Sequence, residues 1–120
     1  MTTVTPVISL QGDGSILVVW SGLSGSGDDG APVELPEHPD KTVQIDGTNT
    51  GSPTVEMRGS LDGTTYVALT DGQGNAITKS LSAPSIEAIA ENPRYTKPVM
   101  TAGTGGAAVN VRMLCRGRKR

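Results

Sequence analysis

Two Asp-Gly pairs nine residues apart, Asp62-Gly63 and Asp71-Gly72, constrain this chain more than any other feature. They punctuate Pro53–Asn75, where short runs rich in β-branched and apolar residues, Thr54–Ser60 and Thr65–Thr70, flank Leu61-Asp62-Gly63-Thr64. Gly accepts a positive φ without steric cost and Asp tolerates one, so Asp-Gly between such runs specifies a tight hairpin. The second pair turns the chain again at once. The stretch predicts a β-meander, with Val55 and Met57 on one face of the first strand and Glu56 and Arg58 on the other.

Neighbouring segments carry the same period of two. Val4–Leu10 reads as an edge strand or extended arm, because Pro6 cannot donate to a ladder. Gln11-Gly12-Asp13-Gly14 is a turn. Ser15–Trp20 is a continuous apolar run, the pattern of a strand covered on both faces. Lys41–Asp46 alternates with Val43 and Ile45 inward, and Ala76–Ser80 extends the meander. Arg94–Met100 reads as a strand placed at an edge by Pro98. Ala107–Arg116 closes the chain with Val109, Val111, Met113 and Cys115 on one face. Ser85–Asn92 is the one helical prediction: Ser85 can cap, Ala and Glu favour helix, and Asn92-Pro93 stops it. Together these segments predict an all-β fold, a single antiparallel β-sandwich or jelly roll of about seven or eight short strands over residues 1–120, with one short helical turn near 85–92.

The core available to such a sandwich is thin. Leu, Ile and Val number 25, Phe is absent, and the large aromatics are Trp20, Tyr66 and Tyr95. Sixteen Gly and eight Pro make a fifth of the 120 residues, yet a net charge of -2 argues against disorder. A folded domain with sparse core and long loops gains from burial on partners. Residues 21–40 form the longest such stretch, with turn formers followed by Pro32, Pro36 and Pro39, and are expected to be either disordered or a binding loop, the preferred form of the latter being an extended arm lying on a neighbour.

Charge is divided along the chain. Six acids and no Lys or Arg precede Lys41, whereas the tail 116–120 carries Arg116, Arg118, Lys119 and Arg120. The tail suits an acidic patch on a neighbouring subunit. Nucleic acid is a poor partner for an acidic body without a basic, aromatic face. There is no apolar run that could span a membrane and no signal-peptide pattern at the N-terminus, which leads us to expect assembly in the cytoplasm.

Catalytic and cofactor chemistry finds no purchase. His38 stands alone in Pro36-Glu37-His38-Pro39, and nucleophile-elbow, zinc-peptidase and paired Cys-x-x-Cys motifs are absent. The glycine clusters lack a phosphate-loop Lys. Asp71–Asn75 has the look of a calcium loop without its spaced carboxylates or closing Glu. Cys115, the sole cysteine, reads as a small buried hydrophobe. The expectation is a protein that is not an enzyme and takes no cofactor or metal.

Gly59–Ile77, then Ile86–Gly103, then the closing A-V-N-V-R-M-L-C-R, resemble small virion proteins of tailed bacteriophages, nearest to the capsid decoration or cement proteins with a β-sandwich or jelly-roll fold. The resemblance runs from about Thr42 to Arg116 and brings no catalytic residues. It implies a protein on the capsid surface, bound to the major capsid protein, stabilising contacts between capsomers and associating as a dimer or trimer. Contacts then fall to the flanks: Val4, Val7, Leu23, Val33, Leu35, Arg116, Arg118, Lys119 and Arg120. G-S-L-D-G-T-T-Y also resembles the strand–turn–strand of carbohydrate-binding sandwiches, which implies an alternative, a glycan-binding module of a tail or fibre whose exposed aromatic platform would have to come from Trp20, Tyr66 and Tyr95.

Overall fold

A computed structural model describes residues 2–48, 50–81 and 83–117. Among them lie twelve strands and no helix: β1 (Thr3–Val4), β2 (Val7–Leu10), β3 (Ile16–Gly25), β4 (Asp29–Gly30), β5 (Val33–Glu34), β6 (Asp40–Gly47), β7 (Thr54–Ser60), β8 (Val67–Ala68), β9 (Thr78–Ser80), β10 (Ser85–Ile89), β11 (Tyr95–Ala102) and β12 (Thr104–Arg116). They form two sheets. The seven-stranded sheet runs β1-β4-β11-β7-β8, with β5 also on β11 and β9 also on β7; the five-stranded sheet runs β10-β6-β12-β3-β2. Every pairing is antiparallel except β1 with β4.

Alternating residues from both sheets fill the space between them, as a sandwich requires. Val43 and Ile45 of β6, Val55 and Met57 of β7, and Val109, Val111, Met113 and Cys115 of β12 all point inward, with Trp20 fully buried among them. Burial pushes the Cys115 thiol up to about 11, which makes it inert. The chain turns at Asp62-Gly63, but through a loop from Ser60 to Tyr66 in place of a tight hairpin, since Gly59 is paired with Val67. The Asp62 carboxylate accepts from the Thr64 and Thr65 amides and from the Ser60 hydroxyl, and these bonds, Thr65 first, lower its pKa to about 2.

Four further expectations change. Ser85–Asn92 has no helical turn. Ser85–Ile89 is instead β10, paired with β6 from Ser85↔Ile45 to Ile89↔Lys41. A weak helical preference of Ala and Glu loses to the open ladder of β6. The strands outnumber the seven or eight expected, because several are two-residue pairings within what the sequence shows only as loops. Pro98 lies in the middle of its sheet, not at an edge. It faces Met57, whose amide and carbonyl bond to Ile77 and Leu69 on the far side. Pro98 therefore turns its nitrogen toward the break between β4 and β5, where no ladder donor is needed.

The fourth change concerns residues 21–40, which fold onto the domain. β3 continues to Gly25, and β4 and β5 both pair with β11. Trp20 anchors the segment through its indole N–H, which donates to the Ala31 carbonyl at 2.9 Å. Gly30 lies against the indole so closely that a Cβ there would come within 2.4 Å of Trp20 and 2.7 Å of Pro98. Asp28, buried, accepts from the amides of Thr2, Ser24 and Gly25 and from the Ser24 hydroxyl. At the other end the Lys41 ammonium, 1% exposed, donates to the carbonyls of Leu35 and His38 and to Asn92 Oδ1. Buried polar groups on each side are thus satisfied by the segment they hold.

Candidate interaction face

The outer face of the five-stranded sheet is built by the residues that alternate with its core. In β12 the inward Val111, Met113 and Cys115 leave Arg112, Leu114 and Arg116 outward. Cross-strand register extends these into rows. Val7, Val19, Arg112, Gln44 and Ile86 lie side by side across five strands, and Ser9, Leu17, Leu114, Thr42 and Ala88 form the next row. Leu17, Ile86, Leu114, Arg112 and Arg116 line a shallow depression of about 220 Å³ on this face.

The run Ser15–Trp20 explains the apolar character. Its sequence predicts cover on both faces, but the chain supplies only one: Val18 and Trp20 are buried, while Leu17 and Val19 remain half-exposed. Charged groups interrupt the surface along β12. Arg112 is paired with Asp46, and Arg116 reaches Asp40 at 3.4 Å. Burial alone would raise the pKa of Asp46, but hydrogen bonds from Gln44 and Arg112 hold it below the ordinary value, so the pair stays charged.

Of the residues expected to meet a partner, Val7 and Arg116 are exposed and belong to this outer face. Val4 and Leu35 are half-buried and pack against the core. Leu23 and Val33, at 0% and 5% exposure, point into the core and present no surface. Arg118, Lys119 and Arg120 lie outside the described residues. Sequence reading missed Leu17, Ile86, Arg112 and Leu114. The parity of β12 and β3 could have found three of them, since residues out of phase with Val111 and Val18 must face outward.

The seven-stranded sheet presents a different exterior. Lys97 bonds Asp29 at 3.0 Å and lies 4.5 Å from the centre of the Tyr66 ring; Arg58 pairs with Glu56. A groove of about 500 Å³ runs along its β8 edge beside the exposed Leu61 and Val67, with Asp62, Glu91 and Pro93 in its walls. Neither Tyr66 nor Tyr95 lines that groove, and Trp20 is enclosed in the core. The Asp71 carboxylate caps its own turn by accepting from the Gln73 and Asn75 amides. Among the described residues no three His, Cys, Asp or Glu side chains gather as a metal site.

No protein-family model matches the sequence, and no curated protein does. Solved structures resemble the fold to different degrees. SPBc2 prophage-derived protein YomS superimposes with a TM-score of 0.53 at 13% identity, over 83% of this chain and 94% of that one. A cupin domain from Bordetella pertussis Tohama I has a TM-score of 0.46 at 11% identity, covering 96% and 95% of the two chains. A disulfide-linked pilus protein of Bacillus endospore appendages has 0.48 at 11% identity, covering 94% and 88%. At 13% identity the likeness to YomS is one of fold alone.

Proposed function

We propose that this protein is a structural component of a tailed-phage virion, a decoration or cement protein that binds the outer capsid surface and ties neighbouring capsomers together. One observation carries the reading: β3 has the sequence of a strand covered on both faces, and its outer half, with Leu17 and Val19, is left half-exposed beside Leu114 and the exposed Ile86. A capsid surface is the cover assigned to it. The resemblance from Thr42 to Arg116 supports the same reading, as does the fold shared with a prophage-derived protein. In this role the protein has no catalytic part to play, and its partner is the major capsid protein.

Physically, each copy would bury the apolar patch of Leu17, Val19, Leu114 and Ile86 across a seam between capsomers, while Arg112 within it and Arg116 beside it would set orientation. Individual contacts can be weak, because repetition over a symmetric lattice multiplies them. The test is co-sedimentation of the purified protein with empty expanded shells. Wild type is expected to pellet with the shells, and Leu114→Asp to lose binding more than about tenfold while keeping its fold, because a charge then enters the apolar contact. Wild type remaining in the supernatant at low as well as high salt would overturn the reading.

A further inference from the structure

Strand β2 is the free edge of the five-stranded sheet, and it is bare on both faces. Val7, Ile8 and Leu10 are 68%, 55% and 76% exposed. Ile8 and Leu10 stand opposite Val18 and Ile16, on the core side of the sheet. The core therefore continues onto β2, but the facing sheet does not reach far enough to cover it. The backbone is equally unfinished. The hairpin closes with the Gln11 amide donating to Ser15, so alternation directs residues 7, 9 and 11 to β3 and the amides and carbonyls of Ile8 and Leu10 outward.

Exposed edges are ordinarily blunted by charge, by Pro within the strand or by a bulge. β2 has none of these; from Thr2 to Gln11 there is no ionisable side chain. The opposite edge of the same sheet, β10, carries Glu87, and the β8 edge of the other sheet is flanked by Asp62 and Glu91. An uncharged strand can meet its own copy without like-charge repulsion, and β2 is twice as long as β1, the uncharged edge of the other sheet.

We infer that β2 pairs antiparallel with β2 of a second copy of this chain about a twofold axis at Ser9, joining the two five-stranded sheets into one. The pattern is self-complementary in this register. Ile8 of each copy faces Leu10 of the other as a hydrogen-bonded pair, giving four inter-copy backbone bonds. The four side chains of those pairs cover one another on the core side. Val7 and Ser9 extend the outer apolar row across the axis. Pro6 ends the pairing on one side and the Asp13 turn on the other, so the interface is small and the association concentration-dependent. The inference holds whether or not the protein binds a capsid.

The register makes a sharp test. At a non-hydrogen-bonded antiparallel pair the Cα atoms lie about 4.5 Å apart, within the range of a disulfide. Full-length Ser9→Cys is expected to form a disulfide-linked dimer under mild oxidation, whereas Val67→Cys, equally exposed on the β8 edge, is expected to stay monomeric. Cys115 is buried and takes no part. Sedimentation velocity of the wild type is expected to show a dimer that grows with concentration, and Leu10→Lys to weaken it by more than about tenfold. A wild type that stays monomeric up to high concentration overturns the inference and points to a strand from another protein as occupant. Equal cross-linking of the two cysteine variants overturns it as well.

Discussion

Residues 21–40 and strand β2, which follows Pro6, both read in sequence as part of an arm for a neighbour, and each mixes apolar and polar side chains. In the folded protein they part company. The first is tied down at Trp20, Asp28, Gly30 and Lys41, and the second keeps its side chains and half its backbone in solvent. What separates them is not hydrophobicity. Residues 21–40 contain or meet groups that must be satisfied when buried, so they specify one docked geometry. Apart from Ser9, β2 brings apolar side chains and outward-facing amides, which any complementary strand can satisfy.

Breaking the anchors should turn the first region into something like the second. Trp20→Ala is expected to have the largest effect, about 3–5 kcal/mol by chemical denaturation, because it leaves a core cavity and orphans the Ala31 carbonyl. Asp28→Ala should cost about 2–3 kcal/mol, since three amides lose a charged acceptor; hydrogen exchange should then rise at Thr2, Ser24 and Gly25 before the rest of the domain. Gly30→Ala should cost about 1–3 kcal/mol by forcing a methyl against the indole. Leu10→Lys, on β2, should change stability by less than about 0.5 kcal/mol. A large loss there would show that β2 is anchored after all.

Acid sharpens the same contrast. The Ser24 amide, aided by Thr2, the Ser24 hydroxyl and Gly25, outweighs burial and holds the Asp28 carboxyl below its ordinary value of 3.8. Its folded pKa is lower than its unfolded one. Its contribution is therefore complete above about pH 4 and lost as pH falls through the lowered value. Denaturation midpoints of wild type and Asp28→Asn should converge as pH is taken down through that window. The Val7–Leu10 edge has no titratable group and should be indifferent to it.

The meander, the inward faces of β6, β7 and β12, and the burial of Trp20 and Cys115 were all legible, because period-two alternation survives wherever one face is covered. Lys41 was legible too, though easily missed: it lies in phase with Val43 and Ile45, and it is as buried as they are. Asp28 was not, because a Gly-Asp-Asp-Gly string is written the same way whether it dangles or docks. Its partner amides lie as far away as Thr2, and a local pattern cannot show that. The interaction face was half legible. The apolar run of β3 showed that two covers are needed, but only the fold shows that the chain provides one. β10 was misread because helical preference is local whereas the vacancy beside β6 is not.

The position of β12 has a mechanical consequence. It lies between β6 and β3 and pairs with both from Val109 to Cys115. A pull applied at Arg116 along the strand must shear two ladders at once. A pull at Thr3 first meets the two-residue β1–β4 pairing, the Thr3–Asp29 side-chain bond and the packing of Val4, before the chain crosses sheets at Thr5-Pro6. The two ends are unequal tethers: the C-terminal end transmits tension into the centre of a sheet, and the N-terminal end yields first.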